Sequence, residues 1–256
     1  MDIVLDIHRF PCLHDNYGYL VHEDVSGQTA AIDTPDADKY LAEAESLGWR
    51  INLILNTHWH PDHAGGNLKI KEATDCIVYG PAGEADRIPG IDVKLKEGDT
   101  VELGMAKARV LDVPGHTLGH IAYHFAEQKD AFVGDALFAL GCGRVFEGTM
   151  EMMWNSLSKL KALPPDTLIY CAHEYTQSNA RFAETIETGN EDLAAYVKKI
   201  DEIRAKGYPT VPTLLSRELA TNPFLRADLP DLQAAMGHPG DAVATFAEIR
   251  GRKDRF

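Results

Sequence analysis

The stretch His58-Trp59-His60-Pro61-Asp62-His63 places four metal-ligating side chains within six residues, directly after the apolar run Ile51-Asn52-Leu53-Ile54-Leu55 and the pair Asn56-Thr57. A short apolar run of this kind reads as a strand buried on both faces. The histidine-rich stretch therefore leaves the end of a core strand. In an extended strand His58, His60 and Asp62 would share one face and His63 would point away. Pro61 has no N–H to give to a ladder, which favours a loop. In a loop, His58 and His60 can grip one ion while Asp62 and His63 turn to another. Imidazole and carboxylate suit zinc and other borderline divalent ions. A lone histidine here would read as an incidental residue of a polar loop, but four donors after a buried strand do not.

The rest of the chain divides by periodicity. Strands are expected over 2–10, 17–21, 29–32, 51–55, 76–79, 108–113, 121–125, 131–133 and 168–171, separated by turn residues. Between them, Tyr40, Leu41, Ala44 and Leu47 before Gly48 follow helical spacing, and a second helix is expected over 151–163. After Glu174 the reading changes to helices over 176–187, 192–206 and 241–250, with no strand among them. A domain boundary is placed near 174, giving 1–173 and 174–256.

Three further candidates stand just past expected strands: His116 in Val113-Pro114-Gly115-His116-Thr117, Asp135 after Phe132-Val133-Gly134, and His173 in Cys171-Ala172-His173-Glu174. Singly, each reads as a structural histidine or a capping aspartate. With the first run they complete two ligand sets at one end of a sheet, where open α/β folds place their sites.

These segments, in this order, resemble the metallo-β-lactamase superfamily. The resemblance extends to the hydroxyacylglutathione hydrolase (glyoxalase II) family through Leu13-His14-Asp15-Asn16-Tyr17, Gly141-Cys142-Gly143-Arg144, His173-Glu174-Tyr175-Thr176, Thr221-Asn222-Pro223-Phe224-Leu225-Arg226 and Arg250-Gly251-Arg252-Lys253-Asp254. It implies an α/β fold, a four-layer αβ/βα sandwich followed by a small C-terminal helical domain. It implies a metallo-β-lactamase-like catalytic domain over 1–173 and a helical substrate-binding domain over 174–256. His58, His60 and His116 would hold one divalent ion, and Asp62, His63 and His173 a second, with Asp135 bridging. Zinc is the first choice of metal, with iron and manganese as alternatives. Asp33 would orient a ligand imidazole; the competing reading is a turn residue before Pro35.

The implied reaction is hydrolysis of S-(2-hydroxyacyl)glutathione thioesters, S-D-lactoylglutathione giving glutathione and D-lactate, the second step of methylglyoxal detoxification. Two ions roughly 3.5 to 4 Å apart lower the pKa of a shared water from about 15.7 toward 7, which supplies a bridging hydroxide as nucleophile. Asp62 and Asp135 are the catalytic carboxylates. The thiolate leaving group reduces the need for a general acid. Arg144, Tyr175, Arg250 and Lys253 would bind the tripeptide, with Phe146 lining the site. Arg250 and Lys253 share a face if their helix continues; the competing reading is a basic helix end favoured by the macrodipole, worth about 0.3–1 kcal/mol. The family often has Lys at position 144 and Tyr at 146. Arg144 keeps the charge with different donor geometry, and Phe146 has no hydroxyl to donate.

A net charge of −14, from 25 Lys+Arg and 39 Asp+Glu, opposes nucleic-acid binding and with it a ribonuclease of the same superfamily. Four scattered cysteines without a CxxC pair fit a reducing compartment. The first residues lack a basic and apolar leader, and no apolar run is long enough to span a bilayer. A soluble cytoplasmic monomer, with a glutathione thioester as its small-molecule partner and neither nucleic acid nor membrane, is expected. His8, His14, His22, His124 and His238 read as structural or exposed, and His120 as open between structural and ligand-supporting. The rival activities are a lactonase or β-lactamase, a one-iron dioxygenase acting on glutathione persulfide, and a non-catalytic binding module.

Overall fold

The computed structural model describes residues 3–256, so Met1 and Asp2, where the first expected strand begins, lie outside the described residues. The chain forms two compact units, Met1–Asp112 with Leu118–Gly134, and Val113–Thr117 with Asp135–Phe256.

In the first unit, β1 (Leu5–Cys12), β2 (Asn16–Glu23) and β3 (Gln28–Ile32) run antiparallel. After α1 (Ala37–Leu47), β4 (Ile51–Leu55) lies parallel to β3. Two short helices follow, α2 (Pro61–Ala64) and α3 (Asn67–Thr74), then β5 (Ile77–Pro81), a 3-10 helix (Ala82–Arg87) and β6 (Val93–Leu95), with β5 and β6 continuing the parallel part. The sheet order is β1-β2-β3-β4-β5-β6. β7 (Thr100–Leu103), β8 (Ala106–Asp112), β9 (Ile121–Phe125) and β10 (Asp130–Gly134) form an antiparallel meander. β1 runs two residues further than expected, through Pro11. It is the outer strand of its sheet, where a missing N–H costs little.

Local signals set the boundaries of α1. The Asp36 side chain accepts from the Lys39 N–H at 3.2 Å, and Gly48 ends the helix in the left-handed conformation at φ 70°. Ala37, Tyr40 and Ala44 point inward, whereas Leu47, expected on that face, is 37% exposed. The inner face packs on one side of the first sheet with Leu20, Ala31, Ile54, Ile70 and Val78. The period of two sends Tyr19 to the other side of the sheet, edge-on to Phe132 at 5.5 Å. There the Tyr123 hydroxyl, from the meander, donates to the Asn56 carbonyl at 2.7 Å. These contacts anchor the exit of β4, where the ligand run begins.

The second unit opens with a two-residue hairpin, β11 (Leu137–Phe138) and β12 (Gly141–Cys142). α4 (Met150–Lys161), capped by Thr149, leads to β13 (Leu168–Cys171). Then come α5 (Thr176–Ile186), α6 (Glu191–Ala205), β14 (Thr213–Leu214), α7 (Leu215–Thr221), α8 (Pro230–Met236) and α9 (Ala242–Asp254). Its core joins Leu140 to Ala180, Ala183, Leu193, Tyr196, Val197 and Ile200; in the same unit Phe182 stacks on Phe224, which meets Phe246 edge-on. The expectation of no strand after Glu174 is corrected by β14, which pairs antiparallel with β13 through Leu168–Leu214 and Ile169–Thr213. Two residues are too few to give a periodic signal, and the pairing comes from tertiary contact. α9 continues past Arg250, so Arg250 and Lys253 do stand on one helix. No helix among the described residues is long and apolar enough to cross a membrane. All four cysteines are buried and free.

Candidate active site

In the first unit the ligand run is a loop followed by one helical turn, which refines the expectation of a loop alone. Pro61 occupies the first turn of α2, where its missing N–H would be unpaired anyway. His58 and His63 are buried. His58 Nε2 and His60 Nδ1 lie 2.9 Å apart, a separation at which two ring nitrogens can serve one ion. Asp62 Oδ2 stands 3.5 Å from His63 Nε2 and accepts from Asn16 Nδ2 at 3.2 Å. Asn16 therefore restrains the carboxylate from across the first turn of the chain.

Asp33 settles which ring nitrogens are available. Its Oδ1 accepts the Thr57 N–H at 2.7 Å, and its Oδ2 accepts the Thr57 hydroxyl at 2.9 Å and His63 Nδ1 at 2.8 Å. With its own proton committed to Asp33, the Thr57 hydroxyl can only accept from His58 Nδ1, 3.0 Å away. In their neutral form both imidazoles then carry their proton on Nδ1 and turn Nε2 outward as the ligand atom. This geometry fits the ligand-orienting reading of Asp33 and not that of a simple turn residue. Its φ of 52° is a left-handed conformation that Asp adopts more readily than most side chains.

Sequence reading missed Glu84. It is buried on the 3-10 helix, and its two oxygens accept from the Trp59 N–H at 3.0 Å and the Gly119 N–H at 2.7 Å. One carboxylate thus ties the ligand loop to the segment after β8. Arg87, one turn on, lies over the Trp59 ring at 4.2 Å, and Trp59 packs against His60 at 4.6 Å. Nothing local marks Glu84, because its partners are backbone groups 25 and 35 residues away. His120 is buried and stacks on His58 with centroids 4.6 Å apart, a supporting position. Gly134 is required: its φ is 49°, and a Cβ there would lie 2.5 Å from Thr57 Oγ1 and 2.9 Å from the His120 ring.

In the second unit, His116, Asp135 and His173 are all buried and come together. His116 Nδ1 donates to the Arg144 carbonyl at 2.9 Å, which leaves Nε2 for a metal. That Nε2 lies 3.4 Å from Asp135 Oδ2, and His173 Nε2 lies 3.4 Å from Asp135 Oδ1. One carboxylate thus offers one oxygen beside each of two imidazoles. Gly115, at φ 145°, allows the close approach of Met153 behind His116. Glu174, next to His173, is used otherwise: it accepts from Thr210 and pairs with Arg204 at 3.4 Å.

A cavity of about 340 Å³ in the same unit is lined by His116, Asp135, Arg144, Phe146, Tyr175, Arg250 and Lys253 among others. Tyr175 lies flat against His173, with centroids 4.8 Å apart. Phe146 is exposed, its ring 5.2 Å from that of His116. Arg250 is only 4% exposed; its Nη1 donates to the Cys142 carbonyl at 2.9 Å, and its Nε has no hydrogen-bond partner. Lys253 donates to the Ser178 carbonyl at 3.1 Å. Burial, then Arg250 and Arg144, hold the Lys253 ammonium down at a pKa of about 8. The neighbouring thiols are inert, since burial pushes Cys142 up to about 11 and Cys171 up to about 12.

The chain holds groups of three His and Asp residues whose ligand atoms all lie within 4.8 Å of one another, which is a metal-binding cluster. Its donors are imidazoles and carboxylates, with no thiolate, and they fit zinc, iron or manganese.

Residues 24–173 match the metallo-beta-lactamase superfamily, and residues 174–256 match the hydroxyacylglutathione hydrolase C-terminus. The chain is 71% identical over 256 residues, the whole of both chains, to the hydroxyacylglutathione hydrolase of Hyphomonas neptunium. It is 58% identical over 254 residues to that of Erythrobacter litoralis, covering 99% of this chain and 100% of the other. The solved structure of the BLEG-1 B3 metallo-beta-lactamase superposes with a TM-score of 0.66 over 86% of this chain and 99% of that one. At 20% identity this is a likeness of fold. The metallo-β-lactamase fold expected from the motifs is the fold of this chain, followed by the helical region. The chain belongs to the hydroxyacylglutathione hydrolase family of the metallo-β-lactamase superfamily.

Proposed function

We propose that the protein hydrolyses S-(2-hydroxyacyl)glutathione thioesters, converting S-D-lactoylglutathione to glutathione and D-lactate. The observation that carries this reading is a single cavity lined both by His116 and Asp135 and by three cations, Arg144, Arg250 and Lys253. Glutathione brings two carboxylates, and cations lining the same cavity as metal-ligating side chains suit a thioester of that tripeptide. The full-length relatives named for this activity support the same reading.

In this proposal His58, His60 and His116 would hold one divalent ion and Asp62, His63 and His173 a second, with Asp135 serving both sets. Zinc is the first choice. When bound, such a pair supplies a nucleophile at neutral pH by lowering the pKa of water. Asp62, restrained by Asn16, would hold the attacking oxygen nucleophile in place as well as ligate a metal. Arg250 and Lys253, with Arg144 at the rim, bind the substrate carboxylates, and Tyr175 forms a flat wall beside His173. Phe146 offers a ring face without a hydroxyl. The leaving thiolate needs little help, because a thiol has a pKa of only about 8.5. Residues 1–173 act as the catalytic domain and 174–256 as the substrate-binding domain of a cytoplasmic monomer.

The test is metal analysis of the purified protein alongside S-D-lactoylglutathione hydrolysis, followed as loss of thioester absorbance. Turnover should require bound metal and vanish on chelation. Full activity without metal would overturn the reading. So would oxygen consumption with glutathione persulfide, or β-lactam cleavage, in place of thioester hydrolysis.

A further inference from the structure

The cation cluster of the second unit contains its own counterion. Asp254, the last residue of α9, sets Oδ1 3.1 Å from Arg250 Nη2 and 3.7 Å from Arg144 Nε. One carboxylate oxygen therefore stands between two of the three cations that line the cavity. This carboxylate is not needed to hold Arg250 in place. That guanidinium is already buried, donates to the Cys142 carbonyl at 2.9 Å and lies over the Phe224 ring at 5.1 Å. Arg144 is largely exposed and is not ordered by a contact of 3.7 Å. The contribution of Asp254 is its charge, placed where three like charges would otherwise repel one another and attract any anion.

We infer that Asp254 is a built-in competitor for the substrate's carboxylate, weakening the hold of the pocket on glutathione so that product is released as well as substrate captured. This inference rests on the glutathione reading of the cavity. Substrate and product carry the same two carboxylates, so a site of three uncompensated cations would bind both tightly. An internal carboxylate on the same guanidinium lowers both affinities together and sets the affinity of the pocket for doubly anionic peptides. Asp254 is thus a residue that tunes specificity; it is not part of the reacting centre.

The test is binding of S-methylglutathione, which cannot be hydrolysed, to the intact enzyme and to Asp254→Asn and Asp254→Glu, measured by titration calorimetry. Asn keeps an oxygen for Arg250 but removes the charge. It also removes a negative charge from a helix C-terminus, where the macrodipole disfavours one, so the variant should fold. Asp254→Asn should bind the ligand roughly twofold to fivefold more tightly, the size of a partly exposed charge interaction. The gain should shrink as salt is raised and be absent for the diester of the same ligand. Asp254→Glu should behave as wild type. Equal or weaker binding by Asp254→Asn, with normal wild-type binding, would overturn this inference alone and leave Asp254 as a support for Arg250. Failure of the wild type to bind S-methylglutathione would remove the glutathione reading and this inference with it.

Discussion

Replacing Asp33 by Asn changes one atom and should reverse two histidines. Asp33 accepts three hydrogen bonds in a buried setting, from the Thr57 N–H, the Thr57 hydroxyl and His63 Nδ1. In Asp33→Asn the carbonyl oxygen can keep the Thr57 N–H at the Oδ1 position. The amide group at the Oδ2 position now donates toward Thr57 Oγ1 and His63 Nδ1. His63 must then move its proton to Nε2 to accept. The Thr57 hydroxyl, now an acceptor from the introduced amide, turns its proton toward His58 Nδ1, and His58 shifts its proton to Nε2 as well. The Thr57 N–H bond is unchanged and the other three survive with their polarity reversed, yet both nitrogens that face the metal site become N–H groups. Loss of a partner behind a metal-bound histidine costs about 10- to 100-fold in metal affinity, which is about 1.4–2.7 kcal/mol. The metal-free protein should lose little thermal stability. Asp33→Ala should differ, because it strands the buried Thr57 N–H at a further cost of about 1–3 kcal/mol to the metal-free fold. The assay is competition for zinc against a chromophoric chelator, paired with thermal unfolding of both metal-free variants. An Asp33→Asn protein that holds zinc as tightly as wild type would refute the tautomer argument. So would one whose metal-free form melts as low as Asp33→Ala.

Two further outcomes are expected. With Lys253 held near a pKa of about 8, the ammonium is the major form below that pH and is lost above it. KM for a glutathione thioester should therefore rise between pH 7 and 9, and the rise should disappear in Lys253→Met, whose KM should be high throughout; a rise that persists in this variant would assign the titration to another group. Gly134→Ala places a Cβ 2.5 Å from Thr57 Oγ1 at a φ of 49°. It should destabilise the fold by about 1–3 kcal/mol from backbone strain alone and lower metal content, seen as a drop in melting temperature and in bound zinc, whereas a wild-type melting curve would show that the contact relaxes freely.

Much of the chain is legible because the relevant signals are local. The apolar run 51–55 forms β4, and Asp36 and Gly48 bracket α1, as capping chemistry dictates. β9 and β13 lie where expected for the same reason, since a strand of four or five apolar residues announces itself. The short elements β6, β11, β12 and β14, of two or three residues, are too short to carry a period and exist only because a neighbouring segment offers them a ladder. Pro11 reads as a strand end, but it is tolerated because β1 is an outer strand, and strand position is a property of the sheet.

The same division runs through the site. Residue type and spacing alone supplied the donors at 58–63 and the strand-exit positions of His116, Asp135 and His173, since a metal asks first for imidazole and carboxylate at flexible chain turns. Which nitrogen of His58 and His63 faces outward depends on Asp33, 24 and 30 residues from its partners. The loop around Trp59 depends on Glu84, and the charge balance of the cation cluster depends on where the end of α9 sets Asp254 beside Arg144. A hydrogen bond or ion pair requires two groups within a few ångströms in a set orientation, and no spacing along the chain encodes that for partners this far apart. Packing of the folded chain decides it.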